Sequence, residues 1–233
     1  MISRAQALSA AEPISLPRQA EAPQPAPAAP ERRAYPYISL QGGLVFSEAL
    51  NGFDVTARQS PTFGFNPGSD VEVAVGYQFA NHTRLEVSAS YLNAVPSSLH
   101  LSAQGQPMAD VDPGGDLGLF AVTVNGILEF PIRDSEGSIK PLTPYIGAGL
   151  GYSNLSVPHC AVTATTCLMV TPVNTLAYQL KAGLSYRAGT RTSLFLEGSY
   201  LGALGTTFSN ENGAITYDRV GALRLNLGLR VGL

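Results

Sequence analysis

The chain closes on YDRVGALRLNLGLRVGL, residues Tyr217 to Leu233. From Leu223 onward every second residue is aliphatic: Leu223, Leu225, Leu227, Leu229, Val231 and Leu233. Between them stand Arg224, Asn226, Gly228, Arg230 and Gly232. Side chains of a strand alternate between two faces. This strand therefore has one aliphatic wall and one wall that carries two guanidiniums. The pattern recurs upstream, and eight strands of this kind describe a small closed barrel with lipid outside and a polar packed interior.

Composition supports that reading. Charged residues make up 13% of the 233 residues and hydrophobic residues 45%, against about 25% charged in an ordinary globular chain. Yet no stretch approaches the ~20 consecutive apolar residues of a membrane helix. A chain with 24 glycines that hides its hydrophobicity in alternation suits a membrane β-barrel. The net charge of −3 gives no basic footprint for nucleic acid.

Eight candidate strands fall near 37–47, 70–79, 83–92, 118–130, 144–153, 174–187, 191–202 and 217–232. The connections alternate between long (48–69, 93–117, 154–173, 203–216) and shorter (80–82, 131–143, 188–190). Long loops on one side and short turns on the other are the outer-membrane arrangement, with both termini on the periplasmic side. The expected fold is all-β: an eight-stranded antiparallel up-and-down transmembrane β-barrel over 37–233 with a disordered Pro-rich N-terminal tail. Residues 1–11 read as the end of an export signal. Residues 12–36, with Pro13, Pro17, Pro23, Pro25, Pro27, Pro30 and Pro36, read as a periplasmic linker.

Two turns give testable registers. A turn at 80–82 sets Tyr77 opposite Leu85, Val75 opposite Val87 and Gln78 opposite Arg84. A turn at 188–190 sets Leu184 opposite Leu194 and Lys181 opposite Glu197. Aromatic residues sort into two belts. Tyr77, Phe79, Phe130, Tyr145 and Tyr186 lie toward the short turns, and Phe46, Tyr91, Phe120, Tyr152, Tyr178, Tyr200 and Tyr217 toward the long loops. The inward face carries Glu72, Arg84, Glu86, Glu129, Lys181, Arg187, Glu197, Arg224 and Arg230. Eight strands enclose only enough space for side chains, so these charges form a paired network that plugs the lumen. Gly147, Gly149 and Gly151 bare one inner face and make room for long side chains.

Several patterns are weaker than they look. Tyr145-Ile-Gly-Ala-Gly-Leu-Gly-Tyr152 lacks both the third glycine and the following helix of a dinucleotide fingerprint. His100 with Ser97, Ser98 and Ser102 is a composition common in polar loops. Asp110, Asp112 and Asp116 lack calcium-loop spacing. No catalytic residue, metal ligand or cofactor site is expected. Cys160 and Cys167 fit no metal or redox spacing and read as a disulfide within one long loop.

The segments Pro144-Tyr-Ile-Gly-Ala-Gly-Leu-Gly-Tyr152, Ala177-Tyr-Gln-Leu-Lys-Ala-Gly-Leu-Ser-Tyr186 and Leu194-Phe-Leu-Glu-Gly-Ser-Tyr200 resemble the fifth, sixth and seventh strands of OmpA-type and porin-family surface-antigen barrels. The resemblance spans about 35–233. It implies an outer-membrane protein active in envelope integrity, adhesion or host contact. Its implied partners are outer-membrane lipid and lipopolysaccharide, the barrel assembly machinery, and a host or surface ligand of the long loops. Such chains usually end on an aromatic residue; this one ends on Leu233. The expected role is structural or surface-interacting rather than enzymatic, with a small porin as the alternative. A soluble lipocalin-like barrel and an outer-membrane lipid-modifying enzyme rank lower. A lipocalin puts its aliphatic face inside and its charges outside.

Overall fold

The computed structural model describes residues 34–54, 58–103, 106–111, 117–156, 173–210 and 213–233. The segments expected at 1–11 and over most of 12–36 lie outside these residues, as do Cys160, Cys167, His159, Asp112 and Asp116.

Eight strands run round a closed antiparallel barrel in the order β1 (Tyr35–Ser47), β4 (Gly68–Gln78), β5 (Thr83–Ala94), β8 (Leu117–Glu129), β9 (Leu142–Ser156), β10 (Val173–Arg187), β11 (Thr192–Asn210) and β12 (Gly213–Gly232). β12 returns to β1, pairing from Tyr37 with Gly232 to Ser47 with Ala222. Closure leaves no edge whose backbone groups would face lipid unpaired.

The faces sort as the terminal stretch requires. Leu223, Leu225, Leu227 and Leu229 are 42–66% exposed, whereas Arg224 and Asn226 are completely buried. With aliphatics outward and charges inward, the lipocalin arrangement is excluded. No helix among the described residues is long and apolar enough to cross a membrane; this chain crosses with strands. Aromatic rings mark both ends of the outer wall. Tyr77 and Phe79 meet edge-on at 5.1 Å near a short turn, and Tyr178 and Tyr200 lie 6.0 Å apart near the long loops.

Three expectations need correction. The first is the β10–β11 register. Leu184 pairs with Leu196, Gly183 with Glu197 and Lys181 with Ser199, two residues from the expected alignment. Ala188 N–H donates to Thr192 O, so the tight turn centres one residue later than 188–190. The shift is even, so every side chain keeps its face. The second concerns Tyr145, which is not in the outer belt: it is 2% exposed and points into the lumen with the inner glycines of its strand. The third concerns Arg187, which is exposed at the end of β10 and does not join the interior network. The β4–β5 hairpin has the expected register, with Tyr77 opposite Leu85 and Gln78 opposite Arg84.

The long connections are also more ordered than loops. β2 (Leu50–Asp54), β3 (Gln59–Phe65), β6 (Pro96–Ala103) and β7 (Gln106–Val111) extend the sheet from β12 in the order β12-β2-β3-β6-β7. β12 has 20 residues, about 65 Å of strand, where a membrane strand needs about 9–11 residues. The β11–β12 hairpin therefore projects far beyond the hydrophobic wall and carries the extra strands with it. Expected strands 191–202 and 217–232 were too short because the apolar alternation stops where the membrane does, while the pairing continues to Asn210 with Gly213.

Candidate functional site: a filled lumen below a surface sheet

The middle of the lumen is an ionic network built across the barrel. Lys181 on β10 faces Gly147 of the neighbouring strand. The bare backbone there leaves its side chain free to cross toward β4 and β5. Its Nζ lies 2.5 Å from Glu72 Oε1, 2.8 Å from Glu86 Oε1 and 3.7 Å from Glu197 Oε1. Glu72 accepts from four donors: Gln41 and Lys181 at Oε1, Gln179 and Arg224 at Oε2. Arg224 spends three nitrogens on Ser199, Asp70 and Glu72. Asn226 adds a second donor to Asp70. A buried charge is tolerated only when paired and hydrogen-bonded, and here each carboxylate has several donors. Gln179 Oε1 accepts from Thr123, which joins Ser88 and Asn125 in a neutral branch.

Toward the short turns the network rests on a collar of three rings. Tyr37, Tyr145 and Phe195 stand directly opposite Gly76, Gly183 and Gly228 on neighbouring strands. A Cβ on any of these glycines would collide with the ring it faces. Each ring thus lies across bare backbone. The Tyr37 and Tyr145 hydroxyls donate upward to Glu86 and Glu197, both at 2.9 Å. The ring faces meet cations: Arg84 lies 4.9 Å from the Tyr145 centroid, and Arg230 lies 5.3 Å from that of Tyr37 and 5.2 Å from that of Phe195. Glu129 reaches both guanidiniums from the rim.

Toward the long loops the interior changes character. Val45, Leu92, Leu117, Leu119, Leu155 and Leu201 point inward and pack as one buried cluster, with Phe63 and Phe65 of β3 against it. This cap was not foreseen. The same alternation that places Arg224 and Arg84 inside places these leucines inside too, but their aliphatic nature disguised them as wall residues.

Of the nine charges expected inside, Glu72, Glu86, Glu197, Lys181 and Arg224 meet in the central network, and Arg84, Arg230 and Glu129 meet below it. Asp70, Gln41, Gln179 and Asn226 complete the arrangement. Their inward parity and polar character were readable in the sequence. Among the described residues no group of three or more His, Cys, Asp or Glu side chains is placed to hold a metal ion. His100 sits on β6 opposite Thr62 of β3 and Asp110 of β7. Ser102 of the same strand donates to Ser60 O.

A protein family described as "Surface antigen" matches residues 133–222. No curated protein matches the sequence. Two solved structures share the fold. Neisserial surface protein A is 16% identical with a TM-score of 0.53, over 86% of this chain and 99% of its own. The outer membrane protein OprG from Pseudomonas aeruginosa is 11% identical with a TM-score of 0.56, over 85% of this chain and 97% of its own. With its lipid-facing wall, aromatic belts and closed antiparallel barrel, this chain is a β-barrel protein of the bacterial outer membrane.

Proposed function

We propose that the chain is a non-conducting, non-catalytic anchor that presents a rigid β-sheet at the cell surface for contact with other molecules. The observation that carries this reading is the hydrogen-bonded continuity of β12, β2, β3, β6 and β7. A barrel needs only short connections to close. Here two long connections are spent on strands that prolong the wall outward. The filled lumen below argues against a small porin, since solute would have to displace both the ionic network and the apolar cap. The match to a family described as "Surface antigen", and the likeness to a surface protein of Neisseria, support the same reading.

The partners follow from position. Outer-membrane lipid and lipopolysaccharide contact the aliphatic wall and its belts. The assembly machinery receives the C-terminal strand. A host or surface ligand meets the projecting sheet. The test replaces 50–65 and 96–111 by short turns in the full chain. The variant should keep the heat-modifiable gel shift of a closed barrel but lose adhesion of expressing cells to arrays of matrix proteins and glycans. Undiminished adhesion by the shortened chain would refute the reading.

A further inference from the structure

The two guanidiniums below the collar are held differently from Arg224. Arg224 donates from three nitrogens. Arg84 and Arg230 share a single carboxylate oxygen, Glu129 Oε1, at 3.3 Å from Arg84 Nε and 3.7 Å from Arg230 Nη1. Nε, Nη1 and Nη2 of Arg84, and Nε of Arg230, are buried and have no hydrogen-bond partner among the described residues. The side chains are 1% and 8% exposed, so bulk water does not serve them. Leaving buried charged donors unmade is among the most costly arrangements in a protein.

The neighbours do not answer that demand. The rings of Tyr37, Tyr145 and Phe195 offer their faces to the cations, which balances charge in part but accepts no in-plane N–H bond. The two tyrosine hydroxyls are committed to Glu86 and Glu197. The Gln78 amide donates to Phe79 O and Thr83 O in the turn below. The layer thus holds unspent guanidinium donors between aromatic walls.

We propose that Arg84 and Arg230 bind a small monovalent anion of chloride size at the periplasmic end of the lumen. A bound halide accepts several N–H bonds from any direction, which suits donors on two side chains. Enclosure by three rings favours a monatomic ion over a phosphate or sulfate, which would bring several oxygens needing partners of their own.

The experiment uses the full chain, folded in detergent at fixed ionic strength, with chloride exchanged for bromide, sulfate or gluconate. Chloride and bromide should raise the unfolding midpoint by about 5 °C over gluconate. The 35Cl resonance should broaden in the presence of protein. Both effects should vanish in Arg84→Gln and persist in Arg187→Gln, whose guanidinium lies outside the lumen. If Arg84→Gln does not fold, Arg230→Gln serves the same purpose. Crystals grown in bromide decide the matter without any variant, through an anomalous peak between the two guanidiniums. Equal midpoints in chloride and gluconate with no bromide peak would overturn the proposal in favour of water. So would stabilisation by sulfate but not by chloride.

Discussion

The two halves of the lumen are closed by opposite means. Toward the short turns, Lys181, Arg224 and four carboxylates are locked in reciprocal hydrogen bonds. Toward the long loops, leucines and alanines pack as one apolar cluster. The difference lies in how each half responds to loss. A polar network is worth little unless every member is paired, so removing one member strands its partners. An apolar cluster loses only the atoms removed and the cavity they leave.

The largest expected effect follows at once. Lys181→Ala leaves Glu72 and Glu86 without their shared cation and should cost about 3–5 kcal/mol in urea unfolding. Adding Glu86→Gln to it should recover part of the loss, because one stranded charge is removed. If the second change deepened the loss by its full single-variant cost, the network would not be reciprocal.

Next come Leu119→Ala and Leu201→Ala in the cap, both starting from 1% exposure. Each should cost about 2–4 kcal/mol, with the pair adding unless the two share one cavity. A pair of losses far below this range would mean that the upper lumen is loosely filled.

A finer comparison lies within the ionic half. Double-mutant cycles should give a coupling of about 2 kcal/mol for Lys181 with Glu72, at 2.5 Å, and less than about 1 kcal/mol for Lys181 with Glu197, at 3.7 Å. Equal couplings would favour the alignment in which Lys181 and Glu197 stand directly opposite. Smallest of all, Arg187→Gln should change stability by no more than about 0.5 kcal/mol, because its side chain is exposed at a strand end.

These residues also show where sequence suffices. Alternation puts Lys181, Glu72 and Arg224 on one shared face, and the aromatic belts and loop asymmetry, not alternation itself, say that this face is the inner one. Alternation cannot separate two registers that differ by two residues, because both keep the same faces. Leu184 meets an outward leucine whether its partner is Leu194 or Leu196. That choice belongs to contacts beyond the pair, among them the Tyr145 hydroxyl of β9 donating to Glu197 of β11. Tyr145 itself was misplaced by its height near a strand end, although its parity with Gly147 and Gly149 puts it inside. The apolar cap escaped notice for a related reason. Leu119 and Leu155 have inward parity but look like wall residues, and only the closed barrel shows that they face one another. The strands of the surface sheet lie beyond the membrane. There the apolar alternation that marks the wall is gone, and pairing to β12 and β3 defines them instead.

Both kinds of packing imply a closed lumen, and planar-bilayer recording of the purified, refolded chain tests that directly. The account predicts no stable conductance for the native chain, because an ion would have to pass the Lys181 network and then the leucine cap. A steady, open channel on the order of a nanosiemens, wider than an eight-stranded lumen filled by side chains allows, would contradict it.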